Sequence, residues 1–294
     1  MAANLISGTD LAKTIRDELT SRVQALSDAG TTPGLATVLV GENPASKLYV
    51  GMKNKAAAEV GIHSRQVTLD EDASEAELLG LIDDLNRDPE IHGILVQLPL
   101  PEQIEDRKVL LAIEPTKDVD GFHPINVGAL FTGDETALAP CTPKGVLEML
   151  FRTGNDPEGK RCVIVGRSNI VGRPMASLLL MHHGTVTVAH SRTRDLGAVC
   201  READILVAAV GRPGTITAEM VKPGAVVIDV GTTRVEAPDR PRGFRVVGDV
   251  DFDAVSEVAS WITPVPGGVG PMTIAMLLTN TFEAAERSVE RTEA

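Results

Sequence analysis

Apolar positions along this chain alternate between short Val- and Ile-rich runs and longer stretches that repeat every three to four residues, the pattern of a parallel sheet covered by helices. Leu11, Ile15, Leu19, Val23 and Leu26 form one such stripe, and Gly30 stands where a helix would end. A strand is expected at residues 35–40. Residues 45–60 read as a helix closed by Gly61, with Tyr49 and Lys53 in its first half. Ser74 and Glu77 have the spacing of a capping box, opening a helix that runs to about Arg87. Residues 93–98 are a buried strand stopped by Pro99-Leu100-Pro101, so Gln97 lies near a strand's carboxyl end, where α/β proteins bind ligands.

A second series opens at Thr142-Pro143, read as an N-cap followed by proline at the first helical position. Strands are expected at residues 161–165, 185–189, 204–210, 225–230 and 244–247, with helices or turns between them. This is a Rossmann-like organisation and predicts a second domain. An apolar helix begins near Met272 and becomes charged around Glu283 and Arg287, as expected of a segment returning to the first domain. There is no internal repeat or low-complexity tract.

Composition narrows the class. With 294 residues, two domains are expected, and aromatic residues are only 3%, so the cores must be Ala, Val, Leu and Ile. A formal charge of −13, without a dense Lys/Arg run, argues against nucleic acid as a partner. Cys141, Cys162 and Cys200 are widely spaced and include no CxxC, which fits reduced thiols in a cytoplasmic protein and no metal site. Neither a signal peptide nor a run long enough to span a membrane is evident, so a soluble chain is expected.

Candidate chemistry starts at Tyr49 and Lys53, four apart and so on one helix face, offering a stacking ring and a proton-handling amine. Read alone, the pair is more simply a solvated lysine beside a half-buried tyrosine. Val163-Ile164-Val165-Gly166-Arg167-Ser168-Asn169-Ile170-Val171-Gly172 is a strand, a glycine turn and a helix start, which presents amides to phosphate. The spacing departs from GxGxxG, and an ordinary tight turn is the alternative. One strand later, an NAD site usually places an acid, whereas here His190-Ser191-Arg192 offers a hydroxyl and a guanidinium. NADP is therefore the expected cofactor, with Arg167, Ser168, Ser191 and Arg192 as phosphate contacts. Lys117-Asp118-Val119-Asp120-Gly121-Phe122 lacks the register of a calcium loop, and one carboxylate gripping an amino-pyrimidine edge suits it better. Asp249, Asp251 and Asp253 form a second acidic group, in which Asp253 reads as the cap of a helix starting at Ala254. His182 and His183 are adjacent and are given no role.

Ser46, Tyr49 and Lys53, then Gln97 through Pro101, Lys117 through Phe122, Gly166-Arg167-Ser168 with Ile170-Val171-Gly172, and Thr263-Pro264-Val265-Pro266-Gly267-Gly268-Val269-Gly270-Pro271-Met272-Thr273 occur in that order. Over nearly its whole length the chain closely resembles the bifunctional methylenetetrahydrofolate dehydrogenase/cyclohydrolase family. The resemblance implies NADP-dependent oxidation of 5,10-methylenetetrahydrofolate to the 5,10-methenyl compound, then hydrolysis to 10-formyltetrahydrofolate. It implies an α/β folate-binding domain, residues 1–139 completed by 267–294, a Rossmann-like NADP-binding domain, residues 140–266, and a homodimer. Lys53, Gln97 and Asp120 become the expected catalytic residues, since an amine partly buried beside a cationic ligand gives up its proton more readily. Tyr49 would stack on the folate, Asp120 would hold the pterin, and Gly267, Gly270 and Pro271 would line the cleft. Thr142, Gly166, Ile170, Gly231 and Thr273 join the two arginines and two serines as cofactor contacts. Ala189 stands where many relatives have cysteine, and Thr232-Thr233 vary the turn after Gly231. A non-catalytic NADP-binding protein or another NADP dehydrogenase would share the architecture, but a dehydrogenase of small hydroxy acids leaves the 263–273 motif unexplained.

Overall fold

A computed structural model of the protein describes residues 2–239 and 243–293. The chain runs β1 (Asn4–Leu5), α1 (Gly8–Asp28), β2 (Gly34–Val40), α2 (Pro44–Glu59), β3 (His63–Leu69), α3 (Glu75–Arg87), β4 (Gly93–Val96), α4 (Asp106–Ala112) and α5 (Pro124–Phe131). It continues with α6 (Cys141–Arg152), β5 (Arg161–Val165), α7 (Gly172–Met181), β6 (Thr185–Ala189), α8 (Leu196–Cys200), β7 (Ile205–Ala208) and β8 (Val226–Asp229). Last come β9 (Thr233–Glu236), β10 (Phe244–Val247), α9 (Phe252–Ser256), β11 (Trp261–Ile262) and α10 (Val269–Glu293). Two compact units divide the chain, one made of Lys13–Cys141 and Ile274–Ala294, the other of Thr142–Thr273 with the residues up to Ala12. The expected domain ranges begin and end on residues 1 and 294 and include 240–242, all of which lie outside the described residues.

In the first unit, β2 is buried along its whole length between β3 and β4, and all three strands are parallel. Its run of Leu, Ala and Val has no polar alternation because helices cover both faces of such a strand. The α3 helix starts where Ser74 accepts the Glu77 N–H at 3.2 Å, and it buries Leu78, Ile82 and Leu85 against Ile94 and Val96. Each of those side chains contributes about 1.5–3 kcal/mol of transfer free energy. The α1 stripe is buried at Ile15, Leu19 and Val23, and Gly30, at φ 103°, adopts the left-handed conformation that ends the run. The C-terminal part of α10 buries Asn280, Thr281 and Phe282 in this unit, with the Arg22 guanidinium 4.3 Å from the Phe282 ring.

The second unit is a six-stranded sheet in the order β1-β11-β8-β7-β5-β6, parallel throughout. Its core joins Val163, Val165, Leu206, Ala208, Val227 and Ile262. Several expectations need correction. Residues 244–247 form a strand, but it pairs antiparallel with β9 in a separate two-stranded ribbon rather than joining the main sheet. The sheet is completed instead by β1 and β11, which are too short to leave a periodic signature. Thr142 is no N-cap, because α6 already begins at Cys141. Asp253 lies inside the first turn of α9, with Asp251 at the cap position and no side-chain cap hydrogen bond. The β3 strand, His63–Leu69, was not anticipated: as an edge strand it is mostly solvated and carries polar residues.

Candidate active site

Helix α2 presents the candidate amine. Its start is fixed by Asn43, whose side-chain oxygen accepts the Ala45 and Ser46 N–H groups, and by Pro44 in the first turn. One face of the helix is anchored by Val50 and Ala57, both fully buried, and by Asn54, which accepts the Thr37 hydroxyl at 2.9 Å and the Ser64 hydroxyl at 3.0 Å. Lys53, half-buried, donates from Nζ to Gln97 Oε1 at 3.0 Å. The Gln97 amide group donates to the Leu98 carbonyl at 2.7 Å, which sets the side chain's oxygen toward the lysine. Gln97 itself follows β4, and its N–H extends the ladder to the Val38 carbonyl. Tyr49 keeps 46% of its surface exposed, so a ring face is available for stacking.

The two aspartates of the 117–122 segment have different tasks. Asp118, buried, accepts the His123 N–H at 2.8 Å and the Asn126 amide at 2.9 Å, fixing the start of α5. Burial pushes the Asp120 carboxyl above the usual carboxylate range, and the charge of Lys53 pulls the other way. The flanking backbone is clamped by α10, where Asn280 donates to the Val119 carbonyl at 2.8 Å and the Ala139 carbonyl at 3.0 Å. Cys141 adds an S–H donated to the Val119 carbonyl. Lys117 serves the fold, donating to the carbonyls of Leu85, Asn86 and Asp88 at the end of α3.

The candidate nucleotide turn lies at the carboxyl end of β5 in the other unit. A Cβ at Gly166 would fall 2.2 Å from the Ala209 carbonyl oxygen, and one at Gly172 would fall 2.3 Å from the Gly166 carbonyl oxygen, so the turn requires glycine at both places. The Ser168 hydroxyl accepts the Val171 N–H at 3.2 Å, and Arg167, Ser168 and Ile170 are exposed at the start of α7. Val165 and Ala189 are register partners, so the turns after β5 and β6 begin side by side. In the latter, Arg192 donates its N–H to His190 Nδ1 at 3.1 Å, and the Ser191 and Arg192 side chains are exposed. These are the features an anionic phosphate group requires: a close-packed backbone turn, a hydroxyl and two guanidiniums.

The Thr142 and Thr273 hydroxyls are hydrogen-bonded to each other at 2.9 Å. Gly267, at φ 100°, accepts the Thr9 N–H at 3.0 Å, whereas Gly270 and Pro271 are exposed and half-buried respectively. Steric necessity in that motif rests on Gly268, whose Cβ would meet the Pro264 carbonyl at 2.4 Å; Gly270 has open space around it. Gly231 donates its N–H to Asp229 Oδ1 at 2.9 Å. Sequence reasoning missed Asn54 and Asn280 and gave Asp118, Asp229 and Asp249 no site role. Their partners are backbone groups or distant side chains, and no local spacing reports these.

Residues 6–120 match the catalytic domain of the tetrahydrofolate dehydrogenase/cyclohydrolase family, and residues 140–289 match its NAD(P)-binding domain. The chain is 57% identical to the bifunctional protein FolD of Moorella thermoacetica over 98% of its own length and 100% of the relative's. A crystal structure of the bifunctional enzyme FolD, methylenetetrahydrofolate dehydrogenase/cyclohydrolase, from Campylobacter jejuni superposes with a TM-score of 0.93 at 49% identity, covering 98% of this chain and 100% of that one. The Trypanosoma brucei enzyme, crystallised with NADP and an inhibitor, gives a TM-score of 0.93 at 43% identity, covering 98% and 99%.

Proposed function

The chain belongs to the tetrahydrofolate dehydrogenase/cyclohydrolase family, and from that premise we propose that the Lys53 amine, held by Gln97, handles the protons of the hydrolytic step. The protein is a bifunctional enzyme of one-carbon metabolism. It oxidises 5,10-methylenetetrahydrofolate to 5,10-methenyltetrahydrofolate with NADP and hydrolyses the product to 10-formyltetrahydrofolate.

NADP, when bound, takes up the hydride. Loss of hydride from a carbon flanked by two nitrogens leaves a delocalised cation, so the first step needs positioning rather than an acid/base relay. The proposed holders are the turn at Gly166, Arg167, Ser168 and Ile170, the Ser191-Arg192 turn, and Thr142, Gly231 and Thr273. Arg167 and Arg192 carry the charge that suits a 2′-phosphate.

In the second step, water adds to the methenyl carbon. Its oxygen gives up both protons in becoming the formyl C=O: one moves to N5 as the C–N5 bond breaks to leave the formyl group on N10, and the other leaves to solvent, which discharges the cation. Lys53 takes the proton as an amine and returns it as an ammonium, while Gln97 Oε1 fixes the direction of Nζ. Asp120 grips the amino-pyrimidine edge and balances the charge on Lys53, and Tyr49 stacks on the ring system. The backbone at Gly267, Gly270 and Pro271 is a further substrate contact.

The observation that carries this reading is the 3.0 Å Lys53–Gln97 hydrogen bond beside Asp120. A Lys53→Ala protein should bind NADP with unaltered affinity and lose the decay of methenyl absorbance that reports hydrolysis. Undiminished hydrolysis in that variant overturns the role given to Lys53.

Two copies of the chain form a homodimer in this reading. The edge position of β6, with Val188 and the neighbouring Leu180 exposed, supports it, because an unpaired strand edge is a template for a second one. A cytoplasmic location suits the three free cysteines, and a charge of −13 disfavours nucleic acid as a partner. Among the described residues no helix is long and apolar enough to cross a membrane.

A further inference from the structure

Three backbone turns meet at the carboxyl ends of adjacent strands in the nucleotide-binding unit. Gly166, after β5, packs against the Ala209 carbonyl, and the N–H of Ala209 bonds the Val165 carbonyl at 2.8 Å. Ala209 leads directly into residues 210–212, after β7, and the Thr233 hydroxyl, just past β8, reaches the Gly211 carbonyl. The order β8-β7-β5 places these turns in a row. Ligands of parallel α/β sheets lie along such a row.

One side chain holds the row together from beneath. Asp249, with no exposed surface, accepts the Val210 N–H at 2.6 Å and the Gly211 N–H at 3.0 Å on Oδ2, and the Arg212 N–H at 2.8 Å on Oδ1. It is held in turn by Asp229, whose carboxylate accepts the N–H groups of Asp249, Val250 and Gly231 at 2.9, 3.0 and 2.9 Å. The two loops are interlocked so closely that a Cβ at Gly231 would fall 2.5 Å from the Asp249 carboxyl carbon, and one at Gly248 would fall 1.9 Å from Asp229 Oδ2. A carboxylate that satisfies three consecutive backbone donors fixes the peptide planes they belong to.

We propose that Asp249 is a positioning residue of the dehydrogenase, whose buried carboxylate presets the 210–212 loop and Gly231 for NADP. The proposal rests on the cofactor reading above, in which Gly166, Arg167 and Gly231 contact NADP. Asp249 touches neither cofactor nor substrate in this account; it acts through the loop. An amide in its place keeps the shape but turns an NH2 group toward backbone donors, so the loop must rearrange.

The test compares Asp249→Asn and Arg167→Ala with the unaltered enzyme, using the cyclohydrolase reaction, which consumes no NADP, as the internal measure of folding. Asp249→Asn is expected to raise the KM for NADP about tenfold or more, while the hydrolysis rate stays within about twofold. An unaltered KM in Asp249→Asn, with a raised KM in Arg167→Ala, overturns the positioning role and leaves the cofactor site standing. An unaltered KM in both overturns the cofactor reading itself. If Asp249→Asn does not fold, amide hydrogen exchange of the unaltered protein decides: the Val210, Gly211 and Arg212 amides should be protected without NADP, and exchange at free-loop rates would refute a preset loop.

Discussion

Asp229 makes the stability of the nucleotide-binding unit depend on pH in a direction opposite to that of a salt-bridged carboxylate. The side chain is only 3% exposed, and burial pushes its pKa from an ordinary 3.8 up to about 6, against the pull of its three N–H donors and with the negative charge of Asp249 adding to the rise. A carboxyl whose folded pKa is raised binds its proton more tightly in the folded chain, so its contribution is fully present below pH 3.8 and is lost as pH rises through about 6. At about 1.4 kcal/mol per pH unit, that interval corresponds to about 3 kcal/mol. Asp229→Asn carries no titrating group and should lose this slope, apart from a constant penalty for opposing an NH2 group to backbone donors. The single tryptophan, Trp261, lies in the same sheet, where its register partner is Val226 of β8, so its fluorescence follows the unfolding of this unit in urea. The difference in unfolding free energy between the two proteins should change by about 3 kcal/mol between about pH 4 and about pH 7, the unaltered protein losing the more as pH rises. Parallel curves would show that the three N–H donors cancel burial, and the argument from desolvation would fail.

Asn280→Leu keeps the branched shape but leaves the Ala139 carbonyl without that amide and the Val119 carbonyl with only its Cys141 partner, so a loss of about 2–3 kcal/mol is expected in chemical denaturation. Gly166→Ala drives a methyl group into the Ala209 carbonyl, so NADP binding followed by calorimetry should fall below detection while methenyl hydrolysis persists. Retained binding in that variant would show that the turn can open without harm.

What could be read from the chain followed the range of the interaction. The helix starting after Ser74, the buried β2 run and the α1 stripe are local, and each leaves a spacing that survives in one dimension. Lys53 and Gln97 were paired because the sequence resembled a family, not because any periodicity joined residues 44 positions apart. The β3 strand was missed because an edge strand is polar and β2 dictates its register, while β1 and β11 are too short to carry a pattern. Of the two interlocked aspartates, Asp249 was read only as part of an acidic group whose member Asp253 would cap a helix, and Asp229 was given no role. Their partners are backbone amides, which every residue but proline possesses, so composition could not reveal them.

The pairing of Asn4 with Trp261 also bears on how the molecule is made. Strand β1 leaves the ribosome long before β11 and has no partner until the chain has grown past residue 262, an interval on the order of tens of seconds at typical elongation rates. Throughout that time β11 is missing, and β8 presents an open edge once it has been translated. Completion of this sheet is therefore a late event, dominated by contacts of high sequence separation, and its slow closure is the stage at which the nascent chain most needs protection from other strands.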